Sequence, residues 1–392
     1  MDARRYVRRL VLPALGLAAL VGAFNFVVDP LQYYRPASLY PPQYSSNQRY
    51  QNPALARTHA FDTVVLGTSH MENARPSVVA RTIGGRAVKL AIAGSVIHEQ
   101  SLLAGIALRR DGVRRVVWGV DFNSFAIIGR VATEFGPFPM HLYRGPLAAA
   151  GPYLLSWGTL GDSLAALRAE GPVDLDALNV WPEYTYGIER VHGDWDQQGL
   201  RWNPRLRRHW TDGVPRWDAL LAGFDAEVLD HARAHPDTRF DLVFLPYTLL
   251  EYANDFRLDD KRLFQRLALV EQARRLARDL PNVRVWDFGP DLGIATDLSL
   301  YKDLVHLHPR ALEALLARLA GEPTATTPDQ LGRAVREDLD RRCAPDALER
   351  ARFCPAVVDC GRRALAAWLD AGAALEAMPV ARESGCAAPS PT

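Results

Sequence analysis

Short apolar runs alternate with helical patterns along most of this chain. Runs bounded by turn residues predict buried strands at residues 62–66, 87–91, 115–120, 241–245 and 283–288. Helical patterns between and after them predict helices at residues 76–83, 97–110, 217–234, 258–280 and 309–320. Apolar strands that alternate with helices are typical of a mostly parallel sheet with helices on both faces. The sequence therefore predicts an α/β fold.

The amino-terminal segment has a different pattern. Residues 10–28 are an apolar stretch that would form a helix on the order of 28 Å long, enough to span a hydrocarbon core. Arginines at positions 4, 5, 8 and 9 predict that the start of the chain stays in the cytoplasm. A cleaved signal peptide is the alternative, but the stretch is long for one and no clean Ala-x-Ala site follows it. We expect a single-pass inner-membrane protein with a periplasmic or otherwise extracytoplasmic domain.

The pattern divides the chain into four parts. A cytoplasmic stub and membrane anchor (1–28) precedes a connector (29–56), which is rich in Pro, Tyr, Asn and Gln and is expected to be extended. The α/β domain occupies residues 57–322, and an aromatic-rich insert at about 126–215 interrupts it. We interpret the insert as a lobe over the substrate side or one flank. Residues 323–392 are expected to form a separate, small helical tail.

The tail contains all four cysteines of the chain, at positions 343, 354, 360 and 386. They include no C-x-x-C pair and have no histidine nearby, so we expect no zinc site. An even number in an exported chain predicts disulfides, with three pairings open. Unpaired cysteines in a loose tail are the alternative.

Composition narrows the function classes further. The 392 residues can bury a large core, and Lys+Arg (46) nearly equals Asp+Glu (45). With balanced charge, nothing favours nucleic acid as a partner.

Residues able to carry chemistry follow each predicted strand. Because the carboxyl ends of parallel strands share one edge of a sheet, we expect these residues to lie at that edge, where ligands bind. In strand order they are Ser69, then Gly94, then Asp121 and Asn123, then Tyr247, and finally Asp303 with His306.

Three of these residues form the set required for nucleophilic catalysis. Ser69 would be the nucleophile, His306 its base, and Asp303 the carboxylate that orients the imidazole. Ser69 would also lie at a helix start, where backbone N–H groups face a developing negative charge. The N–H groups of Ser69 and Gly94, with the Asn123 side chain, would form the oxyanion hole.

Each residue also has a structural interpretation. A Gly-Thr-Ser turn after a strand is common, glycine and asparagine often serve turns, and Asp303 could cap a helix. His70, His98 and His308 are expected to be ordinary, satisfied polar side chains. The joint pattern in the order Ser–Asp–His favours the catalytic interpretation.

The chain resembles the SGNH, or GDSL-like, hydrolase superfamily. Gly67-Thr68-Ser69 is similar to the first block of that family, Gly94 matches its second-block glycine, and Asp303-x-x-His306-x-x-Pro309 matches its fifth block. The chain departs from the family pattern in two places. The third block of the family is Gly-x-Asn-Asp, whereas residues 119–123 of this chain are Gly-Val-Asp-Phe-Asn. In the first block, Thr68 replaces the aspartate of the family. These departures resemble the membrane-anchored bacterial branch of alginate-acetylation and cell-envelope O-acyltransferase proteins.

The resemblance implies a flavodoxin-like three-layer sandwich that needs no cofactor. It also implies ester hydrolysis or O-acyl transfer, often of acetyl, on a polysaccharide or other glycan through an acyl-Ser69 intermediate. Transfer would require an acyl donor, often a multi-spanning membrane acyltransferase partner. Trp181 in the insert, together with Tyr247, could contact a sugar, although packing of the insert explains tryptophans equally well. A non-catalytic scaffold or glycan-binding component of an export complex is the alternative function.

Overall fold

The computed structural model describes residues 3–200, 217–258, 260–323, 328–348 and 350–371. Its centre is a five-stranded parallel sheet with the strand order β2-β1-β3-β4-β5. The strands are β1 (Thr63–Leu66), β2 (Ala87–Lys89), β3 (Arg115–Gly119), β4 (Arg239–Phe244) and β5 (Val283–Asp287). This order is that of doubly wound flavodoxin-type sheets and is consistent with an SGNH-like fold. The predicted α/β class and its five parallel strands are confirmed.

The helices surround this sheet. In chain order they are α1 (Ala3–Val28), α2 (Gln48–Thr58), α3 (Pro76–Ile83), α4 (Ile97–Ala107), α5 (Met140–Arg144), α6 (Pro146–Leu154), α7 (Trp157–Leu167), α8 (Ile188–Leu200), α9 (Trp217–Phe224), α10 (Asp230–Ala234), α11 (Leu249–Leu258), α12 (Asp260–Leu276), α13 (Leu292–Ala295), α14 (Pro309–Ala317), α15 (Pro328–Arg342), α16 (Arg350–Phe353) and α17 (Ala356–Asp370). A π-helical turn at Asp225–Leu229 joins α9 to α10, where the sequence predicts one continuous helix.

Both faces of the sheet are buried. Val65, Val117 and Val243 lie in one apolar cluster, and their neighbours Val64 and Val116 lie in a second. Each of these side chains is at most 1% exposed, in keeping with the alternation of side chains along a strand. Helices therefore cover the sheet on both sides, and its carboxyl edge is left as the place where loops converge.

The segment predicted as an extended connector (29–56) is part of the folded domain. It buries Tyr33, which is 1% exposed and donates a hydrogen bond to the Leu142 carbonyl (2.8 Å). Its end forms most of α2, where Leu55 packs in the same cluster as the β1 residue Val64. The polar composition concealed these contacts, because the apolar residues are spaced too irregularly to show a helical pattern.

Among the described residues, one helix is long and apolar enough to cross a membrane, Arg9–Val28 within α1, and it would serve equally as an anchor or a signal sequence. Its last turns pack on the domain. The Asn25 side chain is buried, donates to the Leu154 carbonyl (2.8 Å) and accepts from the Ser163 hydroxyl (2.9 Å). The next turn is organised by Asp29, whose carboxylate accepts hydrogen bonds from the backbone N–H groups of residues 33, 34 and 35 and from the Tyr153 hydroxyl.

The insert does not form one lobe. Its first part, α6 and α7, packs on α1, whereas a later part carries Val191 and Trp195 into the core beside the sheet. Residues near Trp181, described below, lie at the candidate site, and a role of the insert on the substrate side stays a prediction. Two tryptophans of the insert, Trp202 and Trp210, lie outside the described residues.

The tail is also integrated into the domain. Val335 and Leu339 of α15 belong to the cluster that covers one face of the sheet, and the Trp368 ring meets the Phe264 ring edge-on at 5.7 Å. A disulfide joins Cys343 to Cys354, and Cys360 is disulfide-bonded as well. The prediction of disulfides is confirmed for these three cysteines, and Cys386 lies outside the described residues.

Candidate active site

Ser69 lies at the carboxyl edge of the sheet, directly after β1. The chain leaves the strand through Gly67 at φ 145°, where an added Cβ would approach Met71 Cγ to 2.6 Å and the Gly119 carbonyl oxygen to 3.1 Å. Only glycine fits this close approach between two neighbouring strand ends. Ser69 then opens a 3-10 turn, Ser69–Met71, rather than the α-helix that the sequence predicts. Because so short a turn has only a small dipole, any stabilisation of negative charge near Ser69 has to come from nearby backbone N–H groups.

The structure brings the three predicted catalytic side chains together in one hydrogen-bonded chain. Ser69 Oγ lies 2.8 Å from His306 Nε2, and His306 Nδ1 lies 2.6 Å from Asp303 Oδ2. Because the carboxylate can only accept, Nδ1 carries the proton and Nε2 is left to accept from the serine hydroxyl. This is the arrangement that allows an imidazole to remove a proton from serine.

The Asp303 carboxylate also binds the backbone of its own loop. Its Oδ1 accepts from the backbone N–H groups of Val305 and His306, each at 2.9 Å. Burial alone would raise the pKa of Asp303, but the hydrogen bond from His306 and these two N–H groups outweigh it and hold the pKa below its ordinary value. The carboxylate is therefore ionised at neutral pH and can stabilise a protonated His306.

The loop that carries Asp303 and His306 is fixed from both sides. Thr248, just beyond the end of β4, donates to the Leu304 carbonyl through its N–H (3.1 Å) and its hydroxyl (2.8 Å). Asn73 donates to the Leu307 carbonyl at 2.7 Å. Leu304 and Leu307 are themselves buried at 0% and 2% exposure. The position of His306 relative to Ser69 therefore follows from the core and not from a free loop.

The predicted oxyanion glycine, Gly94, lies in a turn after β2 at φ 59°. Helix α2 holds this turn through three side chains. Gln48 Oε1 accepts from the Ala93 N–H (2.6 Å), Arg49 donates to the Gly94 carbonyl (3.2 Å), and Asn52 donates to the Ala91 carbonyl (2.9 Å). The sequence interpretation missed this role because it placed these amides in the connector. The only signal was the cluster of amide side chains at positions 47–52 shortly before β1.

The turn after β3 is built around Asp121, not around Asn123. Asp121 is 6% exposed, and its Oδ1 accepts from the Asn123 N–H (3.0 Å) and the Tyr247 hydroxyl (2.8 Å). The predicted donor Asn123 presents its carboxamide oxygen to Arg262. With its oxygen bound in this way, the amide nitrogen is the end left to donate. Asn123 as an oxyanion donor stays a prediction.

His70 lies behind the His306 imidazole. Its ring meets the His306 ring edge-on at 5.0 Å, and its Nδ1 is 3.9 Å from Asp121 Oδ2. Burial lowers the pKa of His70 to about 4, even though the Asp121 carboxylate opposes this shift. Burial would raise the pKa of Asp121, but His70, Arg266 and two hydrogen bonds hold it below the ordinary value. His70 is therefore a neutral ring at pH 7 that packs against the site.

The two predicted substrate contacts have different positions. Trp181 lies at the site, with its ring edge-on to His306 at 4.4 Å and Lys302 Nζ 3.6 Å from its ring centroid. Tyr247 is 6% exposed and lies under His70, where its hydroxyl supports Asp121. Burial directs the Tyr247 hydroxyl to the interior of the protein, and contact of Tyr247 with substrate stays a prediction.

A cavity of about 380 Å³ opens beside Asp303. The residues that line it are mostly of polar or charged types, and they come from the insert and the loop of Asp303: Tyr184, Thr185, Glu189, Arg190, Gly193, Asp194, Gln197, Lys302 and Asp303. A larger depression of about 450 Å³ lies between β5 and the tail, lined by Asp287 and Glu337 among others, and none of its lining residues belongs to the site. The smaller cavity is therefore the better candidate for substrate.

Comparison with models of protein families finds no match for this chain, and comparison with curated proteins finds none either.

Proposed function

We propose that this protein is an envelope-anchored serine esterase or O-acyltransferase that acts on a polysaccharide or other glycan. It would be an SGNH-like enzyme with a flavodoxin-like three-layer sandwich. The observation that carries the proposal is the continuous hydrogen-bonded chain from Ser69 Oγ through His306 to Asp303. A serine hydroxyl is a weak nucleophile, and this arrangement is the one that activates it.

The reaction would proceed through an acyl-enzyme. Ser69 Oγ attacks the ester carbonyl carbon while His306 Nε2 takes the hydroxyl proton. The N–H groups of Ser69 and Gly94, with the Asn123 amide, stabilise the oxyanion, and His306 then gives its proton to the departing alkoxide. In the second half, water or a sugar hydroxyl gives its proton to His306 and attacks the acyl carbonyl carbon, and His306 then returns a proton to Ser69 Oγ as its bond to the acyl group breaks. Water yields hydrolysis and a sugar yields transfer, most simply of an acetyl group.

The cavity beside Asp303 supports a hydroxyl-rich substrate. Its lining residues include donors such as Lys302 and Arg190 and acceptors such as Asp194, which suit the hydroxyl groups of a sugar. Tyr184 is 76% exposed at its rim, where an aromatic ring can pack on the C–H face of a sugar.

The apolar helix and the tail support a location outside the cytoplasm. An N-terminal span with preceding arginines favours a cytoplasmic start and a domain on the far side of the inner membrane. The disulfide of Cys343 with Cys354 supports an oxidising compartment. If the enzyme transfers acyl groups there, a multi-spanning membrane protein would have to supply them from the cytoplasm.

The test is turnover of a chromogenic acetyl ester by the wild type and Ser69→Ala. We expect a loss of about 10³-fold or more in kcat for the variant, because the nucleophile is removed. Ser101→Ala is a matched control, since Ser101 Oγ also contacts a histidine, His231 Nε2, at 3.0 Å outside the site. Equal turnover by wild type and Ser69→Ala would remove the mechanism.

A non-catalytic, glycan-binding scaffold is the second candidate. It is favoured by the altered third block, in which Asp121 occupies the centre of the turn and Arg262 holds the Asn123 oxygen. In that case the wild type would bind glycan but turn over no ester, and Ser69→Ala would bind equally well.

A further inference from the structure

The helical hairpin formed by α6 and α7 (residues 146–167, here called the hairpin) is unusually apolar for a surface element. Asp162 is the single charged residue of these two helices, and residues 145–161 contain no Asp, Glu, Lys or Arg. Arginines at positions 144 and 168 flank it. Surface helices of a water-soluble domain normally have a polar outer face.

The outward side of the hairpin is formed by large apolar side chains. Their exposed fractions are 94% for Leu147, 52% for Leu155, 70% for Trp157, 39% for Leu164 and 42% for Leu167. The inward side of α7 is small or polar, with Thr159, Ser163 and Ala166 buried. Helix α7 thus turns most of its larger apolar residues away from the protein, which is the reverse of the usual pattern.

The hairpin packs on the end of the apolar helix. Gly22 is so close to Leu155 that an added Cβ would lie 3.0 Å from Leu155 Cδ2. One turn later, the Asn25 side chain donates to the Leu154 carbonyl and accepts from Ser163. These polar groups satisfy one another away from water, as groups at membrane depth must.

These contacts fix the depth of the hairpin relative to α1. Gly22 and Asn25 precede Val28, the end of the apolar span, by about 9 and 4.5 Å of helix at about 1.5 Å per residue. Helices that lie in the membrane interface are immersed by about 5–10 Å. If Arg9–Val28 spans a bilayer, the hairpin therefore lies within the outer interface, with Trp157 at the level that tryptophan prefers.

We propose that the hairpin is a second membrane contact, which lies on the outer surface of the lipid bilayer beside the anchor. The inference rests on the proposed anchoring by α1. Its occupant is lipid, because the surface continues from a helix that is itself long and apolar enough to span a bilayer. Together the two contacts hold the domain in one orientation, since a single helix would leave it free to tilt and rotate.

The test uses the full chain in vesicles of phosphatidylethanolamine and phosphatidylglycerol. The variants Leu147→Cys and Leu164→Cys would each be labelled with an environment-sensitive fluorophore under non-reducing conditions. The chain without an added cysteine serves as the blank. The matched control is Leu348→Cys, because Leu348 is a fully exposed leucine in the tail. We expect blue-shifted emission and quenching by spin-labelled lipid at both hairpin positions, and quenching by aqueous iodide at the control.

Two outcomes would overturn the inference. Iodide quenching of the hairpin probes as strong as that of the control would place the hairpin in water. Protection from both quenchers would mean that protein, such as a second copy, covers it instead of lipid. Alkaline carbonate extraction distinguishes these failures from failure of the anchor, since a chain without a membrane-spanning helix would be released. Ester turnover in detergent tests the proposed reaction separately.

Discussion

At Asp303, one side chain fixes both the His306 ring and the loop that carries it. Oδ2 receives His306 Nδ1, while Oδ1 receives two backbone N–H groups within the same turn. The spacing Asp-x-x-His already predicts this local geometry, because a carboxylate of this length reaches the N–H groups two and three residues ahead. The orientation of His306 is therefore predictable from this local spacing alone, without reference to Ser69.

His70 shows what the sequence could not specify. From its neighbours in the chain, His70 is predicted only to be a polar residue in a turn. Its burial against His306 and Tyr247 depends on the loops after β4 and β5, which are distant in sequence. A shifted pKa of this kind arises from tertiary contacts with no local pattern.

We predict that His70 makes the fold sensitive to acid. Its pKa is about 4 in the fold against 6.5 ordinarily, so between these pH values the unfolded chain binds a proton that the folded chain does not. The free energy of unfolding should therefore fall as pH drops from 6.5 to 4, by about 3 kcal/mol from this group. Chemical unfolding in detergent at a series of pH values should show a smaller fall for His70→Gln. Parallel curves for the two proteins would contradict this assignment.

At the scale of elements, α2 is the feature on which the site most depends and which the sequence interpretation placed outside the domain. The strands were predictable because apolar runs have to be buried. Helix α3 was predictable because a proline lies in its first turn and its apolar residues have a helical spacing. Helix α2 contains Pro53 and several amides, and its hydrogen bonds are made to a turn some forty residues later. Such partners have no signature in a local window.

We predict that Gln48→Leu lowers kcat for the acetyl ester by about 10²-fold, because the turn at Ala93 and Gly94 loses its support and the oxyanion donors move. The matched control is Gln51→Leu in the same helix, since Gln51 binds the Leu31 carbonyl and the Ser45 N–H instead. Steady-state kinetics and thermal unfolding of both variants check the prediction. Equal losses of kcat in the two variants would show that α2 acts through stability alone.

At the scale of the whole molecule, the insert and the tail contribute to the apolar clusters on the sheet, and the end of the apolar helix packs on the insert. The general rule for parallel sheets was sufficient to bring Ser69 and His306, 237 residues apart in sequence, to the same edge. That rule says nothing of where an insertion or a tail docks, because their positions depend on surfaces that form only after the sheet has folded. For this reason the packing of α15 on apolar side chains of α12 could not be predicted from the sequence.

The disulfide within the tail should contribute to the stability of the whole domain. Cys343 and Cys354 close a loop of 11 residues, and loop-closure entropy assigns such a link about 3 kcal/mol. We predict that Cys343→Ser with Cys354→Ser lowers the free energy of unfolding by about this amount, as measured by denaturant unfolding. A change confined to the tail, with the domain midpoint unaltered, would contradict the integrated packing.

The most direct measurement of the central claim is covalent labelling of the folded full chain with a fluorophosphonate, followed by peptide mapping. A fluorophosphonate reacts with a serine only where a neighbouring base has activated it. The account predicts one adduct on Ser69, its loss in Ser69→Ala, and its retention in Ser101→Ala, whose serine also contacts a histidine. A folded protein that forms no adduct, or one that is labelled at another serine, would contradict it.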